Sequence, residues 1–402
     1  RSLDLSDNSI NEIITVHNSV DRDGKSIIKK KKLVKLDLST NFLRDIHSNN
    51  LPENIVTIDL SKNVLSFIPI PVQHLHNLKV LHLSDNLLTN LCNISFQGTL
   101  EKLDLSQNLI LSLTKNLFSD FTQVKALNLN QNLLSFLPPC AFNKTNLKHL
   151  VLSNNFIEKV HDDAFCTLEN SLEYIDFDRN FLTKIPDAIK KLKNLHYLYL
   201  SSNAIRKVDM ILPSSLKVIS LSTNEFNFIP KNIFINCTEL SYLNMGYNSI
   251  NFINSTFLNC CKKLETLLLR NNKIETLNSD SFTGLNSLKE LSLSFNNIHY
   301  VHPFTFKNIS KKLKILEMSF SSSNEDLKIN DILNHLTKLN ILILDNNNIK
   351  TVTNRTLMFL HEIEFIDLSF NRITFIPSDL FQSHIHTNLL EIDLSHNLIE
   401  KI

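Results

Sequence analysis

A short recurring pattern constrains the fold of this chain more than any other feature, and the stretch Leu195–Ile205 shows it clearly. Apolar residues occupy its first, fourth and sixth positions, and an asparagine occupies its ninth. The apolar residues alternate with Tyr197 and Tyr199, which is the period of a short strand whose two faces differ. One face of this strand is therefore expected in the core, and the other is expected to contact solvent or a partner.

The same pattern recurs along the whole chain, and its asparagine, here called the frame asparagine, marks each copy. It stands at Asn8, Asn41, Asn63, Asn86, Asn108, Asn132, Asn155, Asn180, Asn203, Asn224, Asn248, Asn272 and Asn296, is replaced by Ser321, and returns at Asn347, Asn371 and Asn397. After a first gap of 33 residues, the spacing runs from 21 to 26 residues. Units of this length bury their apolar residues only by stacking on their neighbours, so the pattern predicts a solenoid of 17 repeats.

The predicted fold class is an α/β solenoid, a curved array with a concave parallel β-sheet and a mostly irregular or short helical convex side. We expect a single domain over residues 1–402, with both ends incomplete and no capping units. Two segments break the rhythm, an insertion loop at 11–32 and an irregular repeat at 321–338. In the second segment, Ser321 is expected to deprive the turn after its strand of the usual bonding partner.

The composition excludes several classes of function. The net charge is +1 with 20% charged residues, which argues against nucleic acid as a partner. No run of eighteen apolar residues occurs, so we expect no direct membrane insertion by this segment. Only four glycines are present and no zinc-type cysteine spacing is found, so we predict no enzyme, no cofactor and no metal.

Tyrosines mark the best candidate for a binding site. Five of the six, Tyr174, Tyr197, Tyr199, Tyr242 and Tyr247, fall at free strand positions of four consecutive repeats, bordered by His149, Arg179 and His196. Exposed tyrosine with arginine is typical of protein-binding hot spots, although aromatic residues also suit strands for packing alone. We predict a protein-binding site there. A second candidate contact is the row Phe295, Phe320 and Phe370, each immediately before the frame asparagine or its replacement.

Sequons for N-glycosylation occur at Asn93, Asn143, Asn236, Asn254, Asn308 and Asn354. All six fall six to twelve residues after a frame asparagine, away from the predicted strands. Glycans at these positions would leave the concave face open to a partner.

Cys237 and Cys261 each lie thirteen residues after the frame asparagine of consecutive repeats. Equal positions in adjacent coils can bring two Cα atoms within disulfide range, so a bond between these residues is expected, with Cys260 as a competing partner. Cys92, Cys140 and Cys166 are expected to pack as small buried apolar residues.

The stretch Leu288–Ile298, which reads Leu-Lys-Glu-Leu-Ser-Leu-Ser-Phe-Asn-Asn-Ile, together with the later Phe306, resembles the "typical" subclass of extracellular leucine-rich repeats. The long array, the Ser-Phe-Asn spellings and the Asn/Lys/Ile-rich composition look most like insect chaoptin, and Toll-type receptor ectodomains are next closest. The first resemblance implies a cell-surface adhesion protein held by a lipid anchor. The second implies a signalling receptor with a transmembrane segment, and either attachment would lie outside this chain.

The predicted function is recognition of another protein at the extracellular face of the plasma membrane. The first interpretation is cell adhesion through the concave or lateral face, with a protein ligand or a second copy of the chain as partner. The second is the ectodomain of a Toll-type signalling receptor. The third is an intracellular scaffold or enzyme inhibitor, which predicts unglycosylated sequons and reduced cysteines.

Overall fold

The computed structural model describes residues 2–13, 33–47, 51–91, 94, 96, 99–230, 232–253, 260–321 and 328–401. The expected insertion at 11–32 therefore lies outside the described residues apart from residues 11–13, and so do residues 322–327 of the irregular repeat. The chain divides into two compact units. Unit 1 comprises Arg1–Leu182 with Pro186–Leu198, and unit 2 comprises Thr183–Ile185 with Tyr199–Ile402.

Unit 1 is built on parallel three-residue strands that pair in the order of the sequence. They are Ser2–Asp4, Lys35–Asp37, Thr57–Asp59, Val80–His82, Lys102–Asp104, Ala126–Asn128, His149–Val151 and Tyr174–Asp176. Each residue stands opposite the same position of the next strand, as Ala126 does opposite His149. In Lys102–Asp104 the middle residue, Leu103, is buried and its two neighbours face outward, as the alternation in the sequence predicts.

Unit 2 repeats this arrangement. Its paired parallel strands are Val218–Ser220, Tyr242–Asn244, Thr266–Leu268, Glu290–Ser292, Ile315–Glu317, Ile341–Ile343, Phe365–Asp367 and Glu391–Asp393. The strand Tyr197–Tyr199 has its first two residues in unit 1 and its last residue in unit 2. The predicted parallel solenoid is therefore confirmed within each unit.

The rest of each repeat is mostly irregular, as expected. The short helical segments are Ile70–Gln73, the 3₁₀ turn Asp187–Lys191 and Ile329–Leu333. The first two begin directly after Pro69 and Pro186, whose fixed φ suits a helix start. Short parallel pairs also form behind the sheet strands, Phe136–Leu137 with Lys159–Val160 in unit 1 and Thr276–Leu277 with Tyr300–Val301 in unit 2.

The frame asparagine links each repeat to the one before it. The Nδ2 of Asn155 donates to the carbonyl of Leu129 in the preceding repeat at 2.9 Å and to that of Leu152 at 3.1 Å. Its Oδ1 accepts the backbone N–H of Leu134 at 3.0 Å. The amide supplies donors and an acceptor to backbone groups that the turn leaves without strand partners, which is why this position favours asparagine.

Phenylalanine fills the core behind the strands. Phe118 stacks on Phe142 at 5.8 Å between ring centroids, and Phe142 stacks on Phe165 at 6.3 Å. In unit 2, Phe282 and Phe306 stack in the same way at 5.7 Å. These residues share one position of the repeat, ten residues after the frame asparagine.

The irregular repeat differs from the sequence-based expectation at Ser321. This serine is fully buried, and its Oγ donates to the carbonyls of Leu293 at 2.9 Å and Ser319 at 3.2 Å. The hydroxyl thus keeps the donor function of the asparagine that it replaces, and the turn does not lose its partner. The acceptor function passes to the Ser321 backbone carbonyl, which receives the N–H of Ile298.

Candidate functional site

The outward side chains at the first position of successive strands form a row across unit 1. Strand pairing places Lys102 opposite Ala126, Ala126 opposite His149, and His149 opposite Tyr174. Their character changes from charged to small to aromatic along the row. The candidate site lies where the aromatic side chains begin.

The aromatic side chains of unit 1 form a continuous contact. The ring centroids of His149 and Tyr174 lie 5.9 Å apart, and those of Tyr174 and Tyr197 lie 6.2 Å apart. His196 contacts Tyr197 at 6.3 Å. These four residues, here called the aromatic row, were all predicted from the sequence, and the structure brings them together. Tyr197 remains 40% exposed, so the row offers apolar area together with a phenolic hydroxyl.

A shallow depression of about 190 Å³ adjoins the aromatic row. His149 lines it together with Lys102, Ala126 and Asp104. Ala126 carries the smallest side chain among these residues, so the surface dips between its larger neighbours. Sequence reasoning missed this feature, although an alanine at the first strand position between lysine and histidine is a signal that could have indicated it.

The depression has a polar wall formed by His82 and Asp104. The His82 Nδ1 and an Asp104 carboxylate oxygen lie 3.9 Å apart. The nearby Asp104 carboxylate raises the pKa of His82 above its ordinary value, against the opposing effect of burial. Burial works against ionisation of Asp104, but the nearby His82 and the hydrogen bonds from Ser106 outweigh it and lower the pKa of this carboxyl. The wall can therefore carry both signs of charge side by side.

Asp176 stands at the third position of its strand, next to Val151. Burial raises the pKa of its carboxyl, although the backbone N–H of Asp178 and the hydroxyl of Ser153 act in the opposite direction. This half-buried carboxyl group belongs to the same strand as Tyr174 of the aromatic row.

Arg179 is a predicted site residue that lies outside the aromatic row. It follows its strand, immediately before a frame asparagine, with φ at 54°. Its guanidinium donates to Asn154 Oδ1 at 3.4 Å. Arg179 and Asn154 thus belong to the turns that border the strand face, and a role for Arg179 in binding stays a prediction.

The remaining predicted tyrosines belong to unit 2. Tyr199 and Tyr242 are half-buried strand residues, and burial raises the pKa of the Tyr242 hydroxyl, with a smaller opposing effect from Asn244. The sequence predicted that Tyr247 is a strand residue, but the strand ends before it, at Asn244. It stands in the left-handed region at φ 55°, in the turn after the strand, because the frame asparagine follows it.

Tyr247 begins a second aromatic cluster in unit 2. The guanidinium carbon of Arg270 lies 5.4 Å from the Tyr247 ring centroid and 5.8 Å from that of Phe295. Phe295 in turn stacks on Phe320 at 4.8 Å. The sequence indicated the phenylalanine row but missed Arg270, which joins it to Tyr247 through cation–π contacts.

The described sequons lie in the segments that connect the strands. Asn236, Asn308 and Asn354 are exposed, and Asn143 is half-buried. Asn93 and Asn254 lie outside the described residues. Glycan occupancy at all six stays a prediction.

The expected disulfide between Cys237 and Cys261 is not formed, since both residues are free thiols. The bond joins Cys140 and Cys166 instead, with Cα atoms 5.2 Å apart. The backbone N–H groups of Cys140 and Cys166 both donate to the Asp163 carbonyl, at 2.9 and 3.1 Å. This shared acceptor places the two cysteines together although they occupy different positions of their repeats.

Equal position in the repeat did not suffice for a bond between Cys237 and Cys261. The Cys237 thiol instead donates to the Pro213 carbonyl, 3.8 Å from its Sγ. Burial, with smaller contributions from neighbouring thiols, raises the pKa of Cys237 and of Cys261 to about 12. Both side chains therefore remain protonated and act as buried packing residues.

Within the described part of the chain, no helix combines the length and apolar character needed to cross a membrane. No cluster of three or more metal-ligating side chains is found among the same residues.

Curated relatives match only part of this chain. Toll-like receptor 10 of Bos taurus is 33% identical over 132 residues, which are 33% of this chain and 15% of the receptor. Toll-like receptor 9 of Mus musculus is 38% identical over 126 residues, 29% of this chain and 12% of the receptor. The oligodendrocyte-myelin glycoprotein of Homo sapiens is 30% identical over 179 residues, 37% of this chain and 40% of the glycoprotein. The chain thus spans less than half the length of these relatives.

Solved structures share the fold. A leucine-rich repeat protein of Leptospira interrogans matches with a TM-score of 0.72 and 24% identity, covering 99% of this chain and 90% of that protein. A chain of the glycosylated Drosophila Toll–Spatzle complex matches with a TM-score of 0.77 and 20% identity, covering 92% and 52%.

The family model for the leucine rich repeat matches residues 98–144, 145–205, 214–274 and 262–322, more than half of the 402 residues. The repeat pattern, the parallel strands and the hydrogen bonds that join the frame asparagines to neighbouring repeats, here called the asparagine ladder, agree with that match. The chain therefore belongs to the leucine-rich repeat family.

Proposed function

We propose that this chain is a cell-surface recognition module that binds another protein through the aromatic row of unit 1. The observation that carries the proposal is the contact of His149, Tyr174 and Tyr197 on an outward strand face. Rings held against one another lose little conformational freedom on binding, and tyrosine combines apolar area with a hydroxyl. The adjoining depression of about 190 Å³ gives a protruding side chain of the partner a place to insert.

Two features support an extracellular location. The Cys140–Cys166 disulfide suits an oxidising compartment, and the described sequons leave the strands free. On this proposal, a lipid anchor or a transmembrane segment outside these residues attaches the protein to the plasma membrane. Adhesion, with a protein ligand or a second copy as partner, is the first form of the proposal, in keeping with the resemblance to chaoptin.

The second candidate is the ectodomain of a Toll-type signalling receptor. The observation that favours it is the similarity to two Toll-like receptors over 132 and 126 residues. On this proposal the same aromatic row captures a protein ligand, and the receptor's signal depends on segments outside this chain. An intracellular scaffold or enzyme inhibitor is the third candidate, and the disulfide argues against it.

A double substitution in the aromatic row tests the proposed binding face. The soluble chain is first screened against an array of secreted and cell-surface ectodomains, and each binder is titrated by biolayer interferometry. Tyr174→Ala with Tyr197→Ala is expected to weaken binding about 30-fold or more, on the scale of two hot-spot truncations. The loss arises because rigid apolar area is removed while the buried Ile175 and Leu198 of the strands stay in place.

Lys35→Ala with Thr57→Ala is the matched control, since both residues occupy the first strand position of unit 1 away from the aromatic row. This control is expected to bind as the unsubstituted chain does. Equal binding by the tyrosine variant, with an unchanged thermal unfolding curve, would remove the aromatic row from the proposed function.

A further inference from the structure

Unit 1 carries an exposed apolar line that neither the fold nor the aromatic row explains. The residue immediately after the frame asparagine is apolar in seven consecutive repeats, at Phe42, Val64, Leu87, Leu109, Leu133, Phe156 and Phe181, here called the flank stripe. Five of these side chains are between 41% and 59% exposed, and Val64 and Leu133 are half-buried. Burial in the core therefore does not account for their apolar character.

The repeat itself does not require an apolar residue at this position. In unit 2 the same position holds Ala204, Glu225, Ser249, Lys273, Asn297, Asn348 and Arg372, and a large apolar residue returns only at Leu398 among the described repeats. The asparagine ladder forms with either kind of residue, because it uses only backbone groups of the neighbouring repeat. The flank stripe is thus a specific property of unit 1.

Backbone hydrogen bonds keep the stripe continuous. The N–H of Leu87 donates to the carbonyl of Leu65 in the preceding repeat at 2.9 Å, and that of Phe156 donates to Leu134 at 2.9 Å. Each repeat therefore advances the line by one strand spacing, about 4.8 Å, and seven members extend over about 30 Å. At one end, the rings of Phe156 and Phe181 stack at 5.8 Å with planes 12° apart.

The exposed area is large enough to act as an interface core. With about half of each of the five exposed side chains accessible, the stripe presents on the order of 500 Å² of apolar surface. Leu111, which is 59% exposed and two residues from Leu109, widens the stripe at its middle. A stable interface buries about 800 Å² on each partner, so the stripe with its polar border reaches the size of a dimer contact.

The order of residues along the stripe suits a second copy of the same chain. When two stripes meet antiparallel about a two-fold axis, Leu109 meets its own copy and Leu87 meets Leu133. Continuing outward, Val64 meets Phe156, and Phe42 meets Phe181 at both ends. Leucine thus lies at the centre and phenylalanine at both ends, and every facing pair joins two apolar side chains.

The polar residues beside the flank stripe are also compatible with this antiparallel arrangement. The residues immediately before the frame asparagines border the stripe, and the same two-fold axis places Lys62 near Asn154 and Asp85 near Gln131. Gln107 meets its own copy. No like charges are opposed at these positions, and a net charge of +1 gives little repulsion between whole chains.

We infer that the flank stripe is the contact through which two copies of this chain associate antiparallel. This inference is independent of the aromatic row, which lies on the strand face and not in the turns after the strands. A failure of either proposal therefore leaves the other intact.

A charge exchange across the proposed axis tests both the surface and its geometry. Leu87→Lys and Leu133→Glu are made singly and together, and sedimentation velocity is measured over a concentration series up to about 100 µM. The unsubstituted chain is expected to dimerise within this range. Each single variant is expected to raise the dimer dissociation constant at least about tenfold, because a charge meets an apolar side chain.

In the double variant, each lysine meets a glutamate of the other copy, so dimerisation is expected to return to within a few-fold of the unsubstituted chain. Ile70→Lys is the control, since it places the same charge on an exposed apolar residue of a short helix away from the stripe. Thermal unfolding curves confirm that all variants are folded.

Three outcomes contradict the inference. The first is a chain that stays monomeric at every concentration, which would leave a different protein as the occupant of the stripe. The second is a double variant as weak as its single parents, which excludes the antiparallel two-fold arrangement. The third is an equal loss of dimer in Ile70→Lys, which removes the stripe as the contact.

Discussion

At the scale of single residues, the frame asparagine determines which turns this chain can form. The residue immediately before it adopts a left-handed φ, 53° at Asn154 and 58° at Phe295. Asparagine accepts that conformation readily, whereas a bulky aromatic residue in the same region is uncommon. The hydrogen bonds of the following frame asparagine therefore hold Phe295 in the left-handed conformation, and its ring stays on the surface.

Removal of one frame asparagine from the middle of unit 1 tests this view. Asn155→Ala deprives the Leu134 N–H of its acceptor and the Leu129 and Leu152 carbonyls of a donor, all at buried sites. We expect a loss of about 2–3 kcal/mol in the free energy of unfolding, measured by urea denaturation. Asn146→Ala, at an exposed position nearby, should change it by less than about 0.5 kcal/mol. A frame variant as stable as this control would contradict the role given to the ladder.

The sequence predicted this ladder because an amide at a fixed spacing has one clear structural use. It did not predict that Ser321 could replace the amide, since a single hydroxyl lacks the second donor. The structure shows that the Ser321 backbone carbonyl takes over the acceptor role. A backbone group carries no side-chain signature, so this substitution is visible only in three dimensions.

At the scale of elements, the repeat pattern predicted the positions of the sheet strands better than the structure of the segments between them. Strand residues alternate with period two and pair with equal positions in the next repeat, as Leu103 does with Leu127. The connecting segments differ in length, so equal position along the sequence does not mean equal position in space. This difference explains why the bond between Cys140 and Cys166 was missed.

The effect of the disulfide is measurable because it closes a defined loop. Cys140→Ser with Cys166→Ser removes a link across 26 residues, and the loop-closure model gives a loss of about 3.5 kcal/mol. We expect a lower midpoint in urea denaturation, and no further change when a reductant is added. The unsubstituted chain should shift to the same midpoint when reduced.

Cys260→Ser is the control for this comparison, since Cys260 is a partly exposed free thiol. It should leave the denaturation midpoint nearly unchanged and remain sensitive to the reductant. A double cysteine variant as stable as the oxidised chain would show that the bond has no stabilising role.

At the scale of the whole molecule, the sequence predicted which aromatic side chains lie together, but not the depression beside them. Period-two alternation placed Tyr174 and Tyr197 on one outward face, and they are in contact. The depression depends on the small size of Ala126 between larger neighbours, which a motif search does not register. Tyr247 lies outside the strand predicted for it because the turn geometry overrides the strand preference of an aromatic side chain.

The accessibility of the sequons in the folded chain relates its structure to the compartment in which it folds. An N-glycosylation site needs the serine or threonine two residues after the asparagine. Thr145, Ser310 and Thr356, which complete three of the described sequons, are buried, whereas Thr238, which completes the sequon at Asn236, is exposed. A glycosylating enzyme can therefore reach the first three sites only before their repeats have folded.

This difference in accessibility gives a sharp expectation for glycopeptide mapping by mass spectrometry. On the proposed extracellular location, the chain purified from its natural source should carry glycans at Asn143, Asn236, Asn308 and Asn354, because it meets the enzyme while still unfolded. The folded, unglycosylated chain treated with the same enzyme in vitro should be modified at Asn236 alone among these four. Four unoccupied sites on the natural chain would instead favour the intracellular scaffold or inhibitor, and equal modification of all four in vitro would show that burial does not limit access.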